Sequence, residues 1–324
     1  MLDFLNKPHI IDEIDYENIM LTQVEPYLEK RRKEAVFLSH DMQKLHYEAY
    51  EKLLSRGSII ILHGFTESAE KFRESSYYFR KAGYSVYALD LRGHGKSYHS
   101  SDKAERVDID SFDSYARDLD TFIETVVKPA TANGKIYIYS HSLGSTVALL
   151  YHLKHPGTVK KTVLSSPMIC GNMGMPAAVA GTVAKALCAV GGKKTPAPGR
   201  CVFNPAQTAQ ESDATSHARF LYYHNKRINE TAYQTSGPSF SWVKASLEAR
   251  DKIMSGASSG AFDGDFIIFR PEEDKQLDMT YTDKFARQAD IKIKDVKNSR
   301  HEIFMSKNNT LSWYFEEILE FFGE

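Results

Sequence analysis

The sequence predicts an α/β fold in which a mostly parallel central sheet is flanked by helices. Short apolar runs rich in Ile, Val and Tyr recur along the chain, for example at 57–63 (GSIIILH) and 136–139 (IYIY). Such runs are typical of strands buried on both faces of a parallel sheet. Segments with helical spacing of apolar residues separate them. Strand, helix and strand at these intervals indicate a doubly wound sheet.

Length and composition are those of a globular protein. The chain has 324 residues, of which 42% are hydrophobic and 26% charged, with a formal net charge of −1. This fits one large α/β domain with an insertion, or two domains. No basic run exceeds 30–33 (KRRK), so nucleic acid is not an expected partner. The first twenty residues lack the basic start and apolar core of a signal peptide. No run reaches about 18 apolar residues, so we expect a soluble, cytoplasmic protein.

Three cysteines, Cys170, Cys188 and Cys201, are too few and too irregularly spaced for a disulfide scaffold or a zinc site. A single local disulfide remains an alternative, although a reducing compartment is the simpler interpretation. The sequence therefore predicts neither a metal nor a cofactor.

The first part of the chain alternates strands and helices, after some thirty residues that show no clear pattern. The predicted elements are a hairpin at 34–51, strands at 57–63, 84–90, 136–139 and 159–166, and helices at 69–82, 111–127 and from 147 onward.

The alternation stops at Pro167, and no convincing strand follows until about residue 264. We therefore divide the chain into a first core part at 1–166, a helical cap at 167–250 and a second core part at 251–324. The elements predicted after Pro167 are helices at 176–190, 216–229 and 240–252, strands at 264–270 and 290–296, and helices at 281–288 and 311–322.

Ser142 stands between a predicted buried strand and a predicted helix, in the run Ser140-His141-Ser142-Leu143-Gly144. A sharp strand-to-helix turn needs small residues around its apex, because the apex backbone is strained and its neighbours pack closely. Such a turn aims the apex hydroxyl out of the sheet, beside the N–H groups that begin the helix. The pattern predicts a nucleophilic serine. The alternative is an ordinary turn with Ser142 as the helix N-cap.

A His-Gly dipeptide, His63-Gly64, directly follows another predicted central strand. The loop after that strand offers the backbone N–H of Phe65, which can face the serine. Together with the N–H of Leu143 it would form an oxyanion hole, the pair of donors that stabilises a negatively charged oxygen. The alternative is a plain turn before the next helix.

A serine hydroxyl needs a histidine to take its proton and a carboxylate to orient that histidine. Ser142, Asp274 and His301 occur in the order serine, acid, histidine, and the last two each follow a predicted strand. No other late histidine follows a strand. Glu273 and Asp278 share the loop of Asp274 and remain alternatives for the acid.

With these motifs the chain resembles the lysophospholipase and monoacylglycerol-lipase branch of the serine α/β-hydrolases. The matching stretches are 63–65 (HGF), 90–97 (DLRGHGKS), 140–144 (SHSLG), 167–168 (PM), 237–243 (GPSFSWV), 272–274 (EED) with Asp278, and 300–303 (RHEI). The cap stretch and the final box are the features most specific to this branch. Ser140 departs from the glycine usual at that position.

The resemblance implies an α/β-hydrolase fold with a helical cap, and a triad of Ser142, Asp274 and His301. It implies hydrolysis of single-chain lipid esters, such as lysophospholipids or monoacylglycerols, through an acyl-enzyme. The nearest alternative is a proline-type serine aminopeptidase, because the same fold and triad cleave amides. A non-catalytic, hydrolase-like ligand-binding protein is the alternative from another class.

The predicted cap carries an almost uncharged helix at 176–190. An exposed apolar helix there would suit an acyl chain and would allow peripheral contact with the inner face of a membrane. Burial of that helix against its neighbours is the alternative. Arg219, Lys226 and Arg227 are expected to be solvated surface cations, with contact to a phosphate head group as the alternative. Oligomeric state is not indicated.

Overall fold

The computed structural model describes residues 8–101, 105–198 and 202–324. Cys201 lies outside the described residues. A central sheet of eight strands organises the fold, and a separate two-stranded pairing lies apart from it. The strands are β1 (Lys33–Leu38), β2 (Lys44–Tyr50), β3 (Ser58–Leu62), β4 (Ser85–Leu89), β5 (Arg106–Val107), β6 (Ile136–His141), β7 (Lys161–Ser165), β8 (Gly237–Pro238), β9 (Asp265–Pro271) and β10 (Lys292–Val296).

The order of strands in the sheet is β1-β2-β4-β3-β6-β7-β9-β10. From β4 to β10 every neighbouring pair is parallel, whereas β1 and β2 pair antiparallel with each other and β2 pairs antiparallel with β4. The predicted mostly parallel sheet is confirmed. Because β3 and β6 are central neighbours, the loops at their carboxyl ends, which carry His63-Gly64 and Ser142, meet at one edge.

Eleven α-helical segments are found in the described part of the chain. They are α1 (Tyr16–Ile19), α2 (Glu25–Glu29), α3 (Arg73–Lys81), α4 (Asp113–Phe122), α5 (Lys128–Ala130), α6 (Leu143–His152), α7 (Ala177–Ala189), α8 (His217–Asn229), α9 (Phe240–Ser258), α10 (Met279–Gln288) and α11 (Asn308–Gly323). A π-helical turn, Met20–Val24, joins α1 to α2, and another, Ile123–Val127, joins α4 to α5.

Two hydrophobic cores lie on opposite faces of the sheet. In β3, Ile60 and Leu62 belong to the first core, while Ile59 and Ile61 belong to the second. Successive side chains of a strand point to opposite faces, so an unbroken apolar run supplies both cores. Residues of α6 pack in the first core and residues of α11 in the second. The sheet is thereby covered on both sides, as the continuous runs predicted.

The N-terminal segment is more ordered than the sequence indicated. Tyr16, Met20, Val24 and Leu28 are buried in the second core. They recur at intervals of four, which places them on one helical face. Charged residues between them obscured that spacing.

Between β7 and β9 the described residues, 166–198 and 202–264, are mainly helical, and we call them the helical segment. Two differences from expectation occur here. The pairing of β8 with β5 is parallel and only two residues long, too short to give a periodic signal. The helix predicted at 240–252 continues to Ser258, so the proposed cap boundary at residue 250 falls inside α9. None of the helices in the described ranges is long and apolar enough to cross a membrane.

Candidate active site

Ser142 occupies the turn between β6 and α6 with strained backbone angles, φ 49° and ψ −114°. Its neighbours explain how so tight a turn fits. A Cβ on Gly144 would lie 2.2 Å from the carbonyl oxygen of Leu62 on β3, so only glycine is accommodated there. Ser140 is fully buried and its hydroxyl donates to the carbonyl of Val163, 2.8 Å away. Serine therefore replaces glycine at that position without leaving a buried hydroxyl unpaired.

Asp274 and His301 are joined by a short hydrogen bond, 2.7 Å between Asp274 Oδ2 and His301 Nδ1. The loop after β9 carries the acid, and the loop after β10 carries the histidine. The other oxygen of Asp274 accepts the backbone N–H groups of Gln276 and Leu277 at 2.8 and 3.1 Å. Three donors thus fix the carboxylate. Nε2 is the ring nitrogen of His301 that does not face Asp274.

Each member of this pair changes the pKa of the other. Burial alone would lower the pKa of His301, but the hydrogen bond and the negative charge of Asp274 outweigh it and raise the pKa. Burial alone would raise the pKa of Asp274, but the hydrogen bond and charge of His301, with the backbone donors, lower it. The pair therefore favours a charged carboxylate beside a ring that readily accepts a proton.

Two hydrogen bonds hold the backbone of His301 in place. Its carbonyl oxygen accepts the Ser166 hydroxyl at 2.7 Å and Nε2 of His141 at 3.1 Å. Nδ1 of His141 lies 2.9 Å from a carboxylate oxygen of Glu67. His141 precedes Ser142 directly, so one ring connects the serine turn, the His-Gly loop and the histidine loop.

Glu67 is the centre of a buried polar network. The same oxygen that faces His141 accepts the N–H of Gly64 at 2.6 Å, and the other oxygen accepts Lys71 Nζ at 2.8 Å. Lys71 Nζ also lies 2.5 Å from Glu302. Burial would raise the pKa of Glu67, but Lys71 and His141 hold it well below its ordinary value. The network fixes the loop that contains Phe65.

A cavity of about 490 Å³ opens at Ser142, and His301 and Phe65 line it as well. Part of the wall is apolar and includes Met168, Met175, Ala180, Val183, Trp242 and Val243. Another part is polar and includes Lys71, Gln207, Asp213, Tyr223, His224 and Arg227. The helical segment supplies most of both sets. A cavity lined by both kinds of side chain can hold an amphipathic molecule.

The structure brings the predicted residues together to different degrees. Ser142, His301 and Phe65 line one cavity, while Asp274 contacts His301. Leu143 is buried and is the first residue of α6, where backbone N–H groups lack acceptors within the helix. The alternative acids are placed otherwise.

Glu273 is exposed, and the carboxylate of Asp278 caps α10 by accepting the N–H of Thr280 at 3.2 Å. Asp274 is therefore the member of this loop that contacts His301. The catalytic roles of these residues stay predictions.

Sequence reasoning missed the contribution of Glu67, Lys71 and His141. The spacing of four between Glu67 and Lys71, just after His63-Gly64, was the available signal. Among the described residues, one acidic cluster, His40 with Asp41 and Asp118, has metal-like spacing. Arg92 already donates to both carboxylates at 2.7–2.9 Å, so a guanidinium occupies that position.

The family model for serine aminopeptidases of group S33 matches residues 54–308. The chain belongs to this family. The matched range contains the serine turn, the His-Gly loop and the Asp274–His301 pair, and this S33 member is a hydrolase. It is 25% identical over 307 residues to lysophospholipase L2 of Escherichia coli K12, covering 91% of this chain and 88% of that one. It is 32% identical over 120 residues to a monoacylglycerol lipase of Mycolicibacterium smegmatis, covering 37% and 41%.

Solved structures agree with the fold of this S33 chain. A soluble variant of monoglyceride lipase from Saccharomyces cerevisiae superposes with a TM-score of 0.72 at 19% identity, covering 90% of this chain and 94% of that one. The monoacylglycerol lipase of Paleococcus ferrophilus gives a TM-score of 0.66 at 20% identity, covering 86% and 98%. The α/β-hydrolase fold is therefore established.

Proposed function

We propose that the protein is a serine carboxylic-ester hydrolase that acts on single-chain lipid esters, lysophospholipids or monoacylglycerols. The observation that carries the proposal is that His301, hydrogen-bonded to Asp274, lines the same cavity as the strained Ser142. The apolar part of that cavity supports an acyl chain as the bound group. The likeness over most of its length to a lysophospholipase supports the same class of substrate.

In this mechanism Ser142 Oγ attacks the ester carbonyl while His301 takes the hydroxyl proton. Asp274 keeps the imidazole in the right tautomer and stabilises its charged form. The N–H groups of Phe65 and Leu143 stabilise the tetrahedral oxyanion. Collapse expels the alcohol, which takes the proton from His301. Water, activated by the same histidine, then cleaves the acyl-enzyme and releases the fatty acid.

We also propose that residues 167–250 act as a cap that encloses the acyl chain. The apolar side chains Val179 and Val190, in and after α7, are 50% and 80% exposed. They support peripheral contact with a membrane surface through the cap. Cytoplasmic location stays a prediction.

Amide hydrolysis is the second candidate, and the description of the matching family favours it. A serine nucleophile and the same triad would serve both reactions, because ester and amide cleavage share a tetrahedral intermediate. The leaving group and the cavity that receives it separate the two activities.

Labelling with a fluorophosphonate probe tests the nucleophile, with Ser142→Ala as the matched control. We expect labelling of the intact protein and none of the variant. Release assays then compare lysophosphatidylcholine, a monoacylglycerol and a proline-terminal peptide amide. Fatty-acid release supports the lipid esterase, while peptide cleavage alone would support the aminopeptidase. Absence of labelling would contradict a catalytic serine and favour a ligand-binding protein.

A further inference from the structure

Arg227 is a cavity-lining cation whose charge is not neutralised by a carboxylate. It lies near the end of α8, half-buried, in the wall of the cavity that contains Ser142. Its Nε donates to the carbonyl of Tyr233 at 2.9 Å and its Nη2 to that of Thr235 at 3.0 Å. Carbonyl groups orient a guanidinium without cancelling its charge. Within residues 8–101, 105–198 and 202–324, no carboxylate lies within 4.0 Å of it.

The other cations near this site are all paired. Arg219 contacts Glu74 at 2.9 Å, and Lys226 contacts Glu25 at 2.5 Å. Lys71, which shares the cavity wall with Arg227, contacts Glu67 and Glu302. Among the three cationic residues of α8, Arg227 is thus the one that the fold leaves available for an anion. The expectation of surface solvation is wrong for Arg219, whose side chain is buried on Glu74.

A short series of contacts relates Arg227 to the serine. His141, next to Ser142, contacts Glu67, and Glu67 contacts Lys71. Lys71 Nζ lies 5.3 Å from the ring centre of Tyr223. Tyr223 and Arg227 are four residues apart on α8, so they lie on the same face, about 6 Å apart along the axis. Arg227 therefore lies on the same cavity wall as Lys71, on the far side of Tyr223 from the Glu67 network.

The surroundings of Arg227 fix the plane of the guanidinium and add polar atoms. The ring of Phe203 lies 4.6 Å from Arg227 Cζ. His224, 5% exposed, also lines the cavity, and its Nε2 donates to the carbonyl of Pro205 at 2.9 Å. Nδ1 of His224 is buried and has no hydrogen-bond partner in the described part of the chain. Because Nε2 donates, Nδ1 of the neutral tautomer is an acceptor and offers no donor to an oxyanion, so Arg227 supplies the donors.

We infer that Arg227 binds the phosphate of a lysophospholipid head group, so that the substrate class is lysophospholipid rather than monoacylglycerol. This inference rests on the proposed function. Because Nε and one N–H of Nη2 donate to carbonyls, the fork left for two phosphate oxygens consists of Nη1 and the second N–H of Nη2. An unneutralised cation in a partly desolvated wall gains more from an anion than from a neutral hydroxyl. Ser142 and Arg227 line the same cavity, which is where a single bound lysophospholipid would place its ester and its phosphate.

The test compares kcat/KM for lysophosphatidylcholine and a monoacylglycerol of equal chain length, with p-nitrophenyl butyrate as a head-group-free ester. We expect Arg227→Gln to lower kcat/KM for lysophosphatidylcholine about tenfold to hundredfold, mainly through KM, as loss of a charged hydrogen bond does. Activity on the monoacylglycerol and on the butyrate ester should be retained. Arg227→Lys keeps the charge but not the fork, so an intermediate loss is expected.

Lys226→Gln is the matched control, because it removes one charge from the same turn of α8 but outside the cavity wall. Lys226→Gln should change kcat/KM for lysophosphatidylcholine and for the monoacylglycerol by the same factor. Equal losses on both lipids in Arg227→Gln, or no loss on lysophosphatidylcholine, would overturn the inference. Inorganic phosphate that inhibits butyrate hydrolysis only when Arg227 is present, with no preference between lipids, would indicate a free-phosphate site and also overturn it.

Binding to the Ser142→Ala protein separates this inference from the proposed function. A fluorescent lysophosphatidylcholine is titrated below its micelle concentration, with a fluorescent monoacylglycerol in parallel. We expect Arg227→Gln in that background to raise Kd about tenfold or more for the phospholipid alone. This result would stand even if no ester were cleaved. Unchanged Kd would overturn the inference while leaving the esterase proposal intact.

Discussion

Ser142 is held in its strained conformation by hydrogen bonds on both sides of the residue. Its N–H donates to the carbonyl of Ser165 at 3.0 Å. Its own carbonyl accepts the N–H of Met168 at 3.1 Å and that of Ser145 at 3.0 Å. A positive φ at a non-glycine residue costs on the order of 1–3 kcal/mol and persists only where neighbours enforce it. The backbone of Ser142 is thereby fixed in the wall of the cavity before any substrate binds.

The first prediction concerns Asp274 and the pH dependence of hydrolysis. His301 must be neutral to accept the serine proton, so kcat/KM falls as pH falls through its pKa. Asp274 raises that pKa above its ordinary value, and Asp274→Asn removes the cause. We therefore expect the acidic limb to move to lower pH and kcat to drop by about 10⁴-fold. Profiles of kcat/KM between pH 5 and 9, with p-nitrophenyl butyrate, measure both effects.

Glu273→Gln is the control, because it removes a neighbouring exposed carboxylate from the same loop. It should leave the acidic limb of the kcat/KM profile, and kcat itself, close to those of the unchanged protein. An acidic limb that stays in place in Asp274→Asn would show that another group sets it.

The second prediction concerns the buried carboxylate of Glu67. Its pKa is held well below the ordinary value, so the charged form stabilises the folded state. That contribution is complete above the unfolded pKa, about 4.3, and is lost as pH falls through the folded pKa. Glu67→Gln should lower the free energy of unfolding by about 1–3 kcal/mol at pH 7. Urea unfolding at pH 7 and at several values below 4.5 measures the difference, which should shrink with acidification.

An exposed glutamate, Glu17, provides the comparison. Glu17→Gln should change the free energy of unfolding by less than about 0.5 kcal/mol at any of these pH values. A Glu67→Gln deficit that is the same at pH 3 as at pH 7 would show that packing, not charge, is responsible.

At the scale of elements, the turn between β6 and α6 depends on how closely α6 approaches β3. Gly144 lies one residue inside the helix, against the backbone of Leu62. A backbone carbonyl cannot move aside as a flexible side chain would. The close approach of α6 to β3 therefore leaves room only for glycine at position 144. The φ angle of Gly144 is one that other residues also adopt without strain.

The third prediction follows from that contact. Gly144→Ala should force α6 away from β3 and destabilise the protein by about 1–3 kcal/mol or more, as overpacking of a core does. Gly171→Ala is the matched control, because a Cβ there meets nothing within 4 Å. Urea unfolding followed by circular dichroism compares the two. Equal stability of both variants would contradict the packing argument.

The length of α9 shows why element boundaries are hard to predict. The helix continues from Lys252 to Ser258 through Gly and Ser residues, which have low helix propensity. Ile253, Gly256 and Ala257 are buried there. A Cβ on Gly256 would lie 2.4 Å from the side chain of Leu153, just after α6, so the small residue permits close packing. Tertiary contact thus extends the helix beyond its local preference.

At the scale of the whole molecule, buried ion pairs join the N-terminal segment, the sheet core and the helical segment. Arg219 of α8 donates to both oxygens of Glu74 on α3 and to the carbonyl of Ile11. The hydroxyls of Tyr16 and Tyr78 donate to the same carboxylate. Burial would lower the pKa of Arg219, but Glu74 outweighs it and raises the pKa. This cluster therefore joins the helical segment to the core and to the N-terminal segment.

The fourth prediction is a double-mutant cycle on that pair. Glu74→Ala leaves the buried arginine with only Glu13, 3.9 Å away, as a carboxylate partner and should destabilise the protein by about 3–5 kcal/mol. Arg219→Met should also destabilise it, because the carboxylate keeps only its two tyrosine donors. The double variant should lose less than the sum, since neither charge is then left buried alone. Urea unfolding at pH 7 of the unchanged protein, the two single variants and the double variant gives the coupling free energy between Arg219 and Glu74. Losses of unfolding free energy that simply add would contradict this coupling.

The sequence by itself determined the sheet, the order of its strands along the chain, and the identity of Ser142, Asp274 and His301 as candidates. Apolar runs indicate buried strands, and small residues at the turn indicate close backbone approach, so local sequence patterns predict both. Tertiary structure decided which carboxylate of the loop contacts His301, because Glu273, Asp274 and Asp278 share one environment in sequence. It also decided which cation of α8 stays unpaired, since Arg219 and Lys226 meet carboxylates from distant segments. Pairing between residues far apart in sequence leaves no periodic signal, and only the folded chain reveals it.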